Sequence, residues 1–264
     1  MNDYSMITGA SSGIGYALAK IMAAKGHNLI LVARSENALS DFKKTLEADY
    51  AIKVEVLAMD LSNANSANAL YQACQANHWV IECLVNNAGY GDYGGFDSNK
   101  AHLYNNMLQL NVLTLTALTA LFVRDMKALG KGRMLNVGSI ASFLPIPNFA
   151  VYAASKAYVR HFSEALHEEL RGTGVSLTLL NPGVTQTGFI KRANMDKAAN
   201  AQGKLMDAET VALAAYNAMM TGKLRVTPGW LNQLMEYGCA MMPSRSLLMK
   251  IAGIVMREKS ERMI

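Results

Sequence analysis

Six short apolar runs, most of them followed by a helix-patterned stretch, constrain this chain more than any other feature. "YSMIT" (4–8), "NLILVA" (28–33), "KVEVLAM" (53–59), "CLVNN" (83–87), "RMLNVGS" (133–139) and "VSLTLLN" (175–181) are rich in aliphatic and β-branched residues. Between them, 14–25, 36–49, 63–76, 101–129 and 150–172 carry helical patterning. Strands separated by helices of this length pair in parallel, not as hairpins. A parallel sheet is covered on both faces, and right-handed crossovers leave a doubly wound α/β sheet of Rossmann type as the predicted fold. Ligands in such sheets bind at the carboxyl ends of the strands. No Pro/Ser-rich linker divides the 264 residues, 51% of them apolar, so one domain over 1–264 is expected.

The first strand runs into "TGASSGIG", which spaces Gly9, Gly13 and Gly15 as G-x-x-x-G-x-G around Ser11, Ser12 and Ile14. Such a turn lets backbone N–H groups approach a pyrophosphate, and the helix starting near Ile14 offers its positive end. Any strand-to-helix turn can use glycine, but this one follows the first strand, where a dinucleotide belongs. The second strand ends "LILVARSE", with Ala33 where an acid would hold the ribose of NAD. Arg34 and Ser35 come next, and a guanidinium grips a 2′-phosphate bidentately. NADP(H) is therefore expected in preference to NAD(H). In the competing reading Arg34 is merely solvated and Glu36 takes the ribose.

The net charge of +5 is spread along the chain with no basic stripe, which argues against a nucleic-acid partner. Cys74, Cys83 and Cys239 lack metal-ligand spacing and leave one unpaired, so a reducing, cytoplasmic location is expected. The five histidines do not cluster, and no metal site is predicted. "MNDYSMITGASSGIG" has no basic, then apolar, leader pattern. Residues 101–123 are uncharged, but Asn105, Asn106, Gln109, Asn111 and three threonines interrupt them. A helix buried inside the domain is expected there, not a membrane span.

Two segments place a lysine four residues after a tyrosine: "YALAK", Tyr16 to Lys20, and "YAASK", Tyr152 to Lys156. Either pair would share a helix face, so spacing alone does not choose between them. With "TGASSGIG", "NNAG" (86–89), Ser139 and "YAASK" in this order, the chain closely resembles the classical short-chain dehydrogenase/reductase family, over about residues 4–190. Stretches such as "NNAGYGDYGGF" and "VTPGW" are similar to a bacterial branch in which substrates are often unassigned.

The resemblance implies hydride exchange between NAD(P) and a small-molecule carbonyl or alcohol substrate. It maps a catalytic tetrad onto Asn111, Ser139, Tyr152 and Lys156, with Tyr152 and Lys156 also meeting the cofactor. It further places Asp60 and Leu61 at the adenine, Asn87, Ala88 and Gly89 at the ribose, and Pro182, Gly183 and Thr185 beside the nicotinamide. A homodimer or homotetramer through 101–123 and 150–172 is also implied. Tyr16–Lys20 is then ordinary helix surface. A non-catalytic NADP(H)-binding regulatory protein is the alternative, because a fold does not fix a function.

For Tyr152 to share a proton near neutrality, its pKa must fall two to three units from about 10, or about 3–4 kcal/mol. A lysine ammonium about 4 Å away supplies about 4 kcal/mol at an effective dielectric of 20. Taken alone, Ser139 reads as a turn residue and Asn111 as a satisfied core amide. Residues 184–206 read as a lid over the substrate or as a surface loop. Nine of the 17 methionines lie at or after Met206, which suits either a core or a hydrophobic substrate. The extension 228–264 ends with Leu247, Leu248, Ile251, Ile254 and Val255 at helical spacing among basic residues. A cap on its own domain or on a neighbouring subunit is expected there ahead of a membrane surface.

Overall fold

Seven parallel strands form the central sheet of the computed structural model, which describes residues 3–195, 205–242 and Ser246. The strands are β1 (Asp3–Thr8), β2 (Leu29–Ala33), β3 (Val54–Ala58), β4 (Val80–Asn86), β5 (Gly132–Val137), β6 (Val175–Leu180) and β9 (Arg225–Val226), in the spatial order β3-β2-β1-β4-β5-β6-β9. Two short strands, β7 (Thr185–Gln186) and β8 (Met206–Asp207), pair separately. All five β2 residues are buried, because alternate side chains enter opposite layers. Leu29 and Leu31 face one core, Ile30 and Val32 the other.

Helices α1 (Gly13–Ala24), α2 (Glu36–Asp49) and α8 (Ala208–Met220) cover the first face with Leu18, Met22, Leu39, Phe42, Val211 and Met219. On the second face, α3 (Ser66–Ala76) and α5 (Leu115–Leu129) contribute Leu70, Leu118, Phe122 and Met126. Each fully buried side chain of this kind contributes about 1.5–3 kcal/mol of transfer free energy. Asp207 starts α8 as predicted near that residue; its carboxylate accepts the Thr210 N–H at 2.7 Å, which satisfies an orphan donor of the first turn.

The stretch expected as one helix over 101–129 is interrupted. It comprises α4 (Ala101–Leu108), a π-helical turn over Gln109–Thr114, and α5. The run is long enough to cross a membrane, and an 18-residue window within it reaches mean hydropathy 1.5, yet Met107, Leu115, Leu118, Phe122 and Met126 pack inside the protein. The order of the sheet reverses between β1 and β4: the chain winds outward to β2 and β3 on one side and to β5, β6 and β9 on the other. That switch point opens a crevice beyond the strand ends.

Candidate active site

The crevice begins with Thr8, the last residue of β1. Its hydroxyl donates to the Val85 carbonyl at 3.2 Å and accepts the backbone N–H groups of Asn87 and Ala88, each at 3.0 Å. Asn87 returns its side-chain amide to the Thr8 carbonyl at 2.8 Å and to the Gly9 carbonyl at 3.2 Å. These bonds lock the "NNAG" turn onto the glycine turn. A Cβ on Gly15 would collide with the Asn87 amide and with the Gly9 carbonyl. Gly13 has φ +60°, and a Cβ there would also press on Thr187 at 3.0 Å. Ser12 precedes α1 without capping it, and the first turn has no acidic residue. The helix N-terminus is thus left to the crevice, which suits a phosphate.

A cavity of 980 Å³ runs from this turn across the strand ends. Gly9, Ser11, Ser12, Gly13, Ile14, Asn87, Ala88 and Gly89 line its middle, with Arg34, Ser35, Asp60 and Leu61 at one end. Gly15 sits behind that wall, supporting Gly9. Glu36 is the first residue of α2 and is not on the wall. Ser35 caps that helix, accepting the Ala38 N–H at 3.4 Å, and Arg34 makes no ion pair among the described residues. The Asp60 carboxyl is held below its usual range mainly by the Ser62 hydroxyl at 2.7 Å, with help from the Arg34 charge. Tyr16 instead stacks on Phe42 at 3.9 Å between centroids, and Lys20 pairs with Glu209 at 3.7 Å. That pair is helix surface, as expected.

Ser139, Tyr152, Lys156, Pro182, Gly183 and Thr185 meet on the opposite wall. β5 stops at Val137, two residues earlier than predicted. Gly138 then donates to Leu180 at 2.7 Å and Ile140 to Pro182 at 3.1 Å, which brings the ends of β5 and β6 together. Ser139 caps the short turn that follows, with its oxygen accepting the Ala141 N–H at 3.1 Å. Tyr152, in the first turn of α6 (Ala150–Glu169), is clamped between Phe149 at 4.3 Å and Phe189 at 5.5 Å. Lys156, one turn on, donates to the Val137 carbonyl at 2.7 Å and lies 5.8 Å from the Tyr152 ring centre.

Burial dominates the ionisation of this pair. It pushes the Tyr152 phenol up to about 12, which a hydrogen bond with Ser139 partly offsets, and pushes Lys156 down to about 8. Burial thus shifts the tyrosine in the direction opposite to the one expected from its lysine neighbour, because each charged form loses hydration here. Asn111 lies behind the wall, in the π turn. Its Oδ1 accepts the Tyr90 N–H at 3.2 Å, and its Nδ2 donates to the Tyr90 carbonyl at 2.9 Å and to Ser155 at 3.1 Å. Ser155 in turn donates to the Tyr152 carbonyl at 2.7 Å. A Cβ on Gly89 would stand 3.0 Å from Asn111 Oδ1 and 3.5 Å from Lys156 Nζ. Glycine keeps that space open.

The model of the short chain dehydrogenase family matches residues 4–198. The chain belongs to the short-chain dehydrogenase family. It is accordingly an oxidoreductase acting on alcohol or keto groups with a nicotinamide cofactor. It is similar to the sulfoacetaldehyde reductase of Chromohalobacter salexigens, 34% identical over 204 residues, which cover 76% of this chain and 79% of that one. It is also similar to the very-long-chain 3-oxoacyl-CoA reductase of Mus musculus, 27% identical over 75% of this chain but only 64% of that protein. Among solved structures, a short-chain dehydrogenase from Sphingobium yanoikuyae in complex with NADPH superposes with TM-score 0.81 at 29% identity, covering 92% of this chain and 96% of that one. One from Burkholderia phymatum in complex with NAD gives 0.80 at 26%, covering 89% and 92%.

In this short-chain dehydrogenase the far end of the cavity is mostly apolar, walled by Leu144, Ile146, Phe149, Phe189, Ile190 and Met235. The segment 184–195 forms part of that wall and is anchored. Tyr93 donates to the Ala193 carbonyl at 2.9 Å, and Asn194 donates to Asp92 at 3.0 Å, the same carboxylate that pairs with Lys100 at 2.8 Å. Of the remainder of 184–206, read as lid or surface loop, 196–204 is outside the described residues and Met206 pairs with Thr185. Two polar groups on this wall have no partner among the described residues: the buried Tyr93 hydroxyl and the Arg192 guanidinium on α7 (Phe189–Arg192). The sequence reading missed Thr8, Ser155, Tyr93 and Met235. Only Thr8 carried a local signal, as a hydroxyl immediately before the glycine turn.

Proposed function

We propose that this chain is an NADPH-dependent reductase of carbonyl compounds with an apolar body. The observation that carries it is the convergence of Ser139, Tyr152 and Lys156 in one cavity with an unencumbered glycine turn. The cradle fits a dinucleotide: a Cβ on Gly9 or Gly15 would press on the Asn87 amide and one on Gly13 on Thr187, so glycine there keeps the two turns together, and Arg34 stands free beside Ser35 for a 2′-phosphate. The position of Glu36 off the wall supports NADP(H) over NAD(H). When bound, NADPH supplies the hydride for the carbonyl carbon.

The protein's own part is to orient the carbonyl and supply its proton. Ser139 donates a hydrogen bond to the carbonyl oxygen as negative charge develops there. A phenol raised to about 12 is fully protonated at neutral pH and is a far stronger acid than the alcohol to be formed. Tyr152 therefore gives up its proton only as the oxygen becomes basic, the condition for general acid catalysis. The Lys156 ammonium then stabilises the phenolate that remains. Asn111 positions the pair: it ties the Tyr90 backbone to Ser155, and Ser155 to the Tyr152 carbonyl. Its Oδ1 faces the space beside Lys156, where the family resemblance puts a proton-relay water.

The apolar far wall supports a hydrophobic substrate, and Tyr93 with Arg192 would receive a polar or anionic end. The two relatives act on, by their names, a sulfonated aldehyde and long 3-oxoacyl thioesters, so a panel should vary both chain length and charge. A dimer or tetramer would use the outer faces of α5 and α6, near Leu113 and Tyr158, which are both exposed. No feature of the site favours the non-catalytic alternative. NADPH oxidation followed by absorbance over a panel of ketones, aldehydes and keto acids tests the reading. Tyr152→Phe is expected to keep NADPH binding and lose about 10²–10⁴-fold in turnover; equal turnover in variant and wild type would refute it.

A further inference from the structure

Helix α9 (Trp230–Met241) has two faces of opposite character. Its inner face closes the protein. Asn232 lies against Gly183, where a Cβ would stand 2.5 Å from the amide nitrogen; Met235 lines the cavity; Glu236 is buried, accepting from Thr227 at 2.6 Å and pairing with Arg225 at 2.8 Å. The outer face is bare. Trp230 is 72% exposed, Leu231 60%, Leu234 63%, Tyr237 61% and Met241 82%. Four of these recur at i, i+4, i+7 and i+11, with Leu231 beside them, so they form one stripe. The helix's only charged residue is the inward Glu236. Single exposed apolar residues are normal in a monomer, but a contiguous stripe of this size marks an interaction surface.

We propose that the outer face of α9 docks on an anionic lipid surface. The sequence directly after the helix, 243–264, has Arg245, Lys250, Arg257, Lys259 and Arg262 against Glu258 and Glu261; apart from Ser246 it lies outside the described residues. An uncharged face of Trp, Tyr, Leu and Met beside a basic segment is complementary to a bilayer interface, where aromatic rings sit at headgroup depth and basic residues meet acidic lipids. A second copy of the chain fits less well, since it carries the same excess of basic residues after this helix and offers no opposite charge to it. The stripe from Leu247 to Val255, expected from the sequence to cap its own domain or a neighbouring subunit, lies outside the described residues. Docking through α9 sets the substrate end of the cavity, through Met235, about one helix diameter (~10 Å) from the bilayer.

Vesicle flotation of the full-length protein tests this. Neutral phosphatidylcholine vesicles are compared with vesicles containing roughly one quarter phosphatidylglycerol, at about 0.1 M and about 0.5 M salt. Wild type is expected to float with the anionic vesicles, less at high salt, and its tryptophan emission to shift to the blue. Leu234→Ser with Tyr237→Ser should lower vesicle binding about tenfold while NADPH binding and circular dichroism stay unchanged. Trp230→Phe should abolish the emission shift and retain flotation, a readout that does not depend on the double variant folding. Absence of flotation or of the emission shift, or equal flotation of a folded double variant, overturns the proposal. So does a dimer that the double variant abolishes in a protein that ignores vesicles, which would make the stripe a self-interface.

Discussion

Raising the pH from 7 to 9 should switch off reduction through Lys156 and not through Tyr152. Lys156 is taken from an ordinary 10.5 to about 8 by burial, a penalty of about 3 kcal/mol on its charged form. The site needs that charge to stabilise the phenolate, and the charge is present below the folded pKa and lost as pH rises through it. With a pKa of about 8, the ammonium fraction falls about tenfold between pH 7 and pH 9. Tyr152, at about 12, remains protonated throughout and cannot produce the drop. The assay is kcat/KM for carbonyl reduction against pH, which reports ionisations of the free enzyme. In Lys156→Arg the guanidinium titrates above about 12, so the variant should have a lower plateau and no decline before pH 9. A flat wild-type profile up to pH 9, or an unchanged decline in Lys156→Arg, would refute the reasoning.

Two further predictions concern the frame of the site. Arg34→Ala should weaken NADPH binding by roughly 10- to 100-fold, the loss of charge-assisted bonds to a phosphate, and leave NADH binding unchanged; fluorescence titration reads both, and parallel losses would return the ribose to Glu36. Thr8→Val removes the hydroxyl that holds Val85, Asn87 and Ala88. Leaving those groups unpaired should cost about 2 kcal/mol and lower Tm by roughly 4–8 °C, measured by calorimetry; an unchanged Tm would mean that the two turns hold together without it.

The sheet was legible because a parallel strand buried on both faces is a continuous apolar run, and "LILVA" has hardly another use. β9 escaped because two residues, one of them Arg225, make no pattern; only pairing with Leu179 and Leu180 makes them a strand. The helix over 101–129 was readable as apolar and buried, but its break was not, since no proline or glycine marks the π turn and Asn111 within it reads as any core amide until its bonds to Tyr90 and Ser155 are known. Residue types and their order located Ser139, Tyr152 and Lys156. They did not give the direction of the tyrosine's shift, because a pairwise charge estimate omits the hydration that both groups lose. Ser155 was invisible for a simpler reason: a serine inside a helix advertises nothing until its neighbours are known.

The π turn at Gln109–Thr114 has a consequence for how this chain can change. Such a turn is an α-helix carrying one surplus residue, so deleting a single position there would let the helix close into regular register. The repaired helix would be the sturdier one and its flanking turns would keep their facing, yet the widened turn that carries Asn111 would be gone. The amide now shared between Tyr90 and Ser155 would point elsewhere. Fitness for folding and fitness for chemistry therefore pull this segment in opposite directions, and the less regular geometry is the form the working protein keeps.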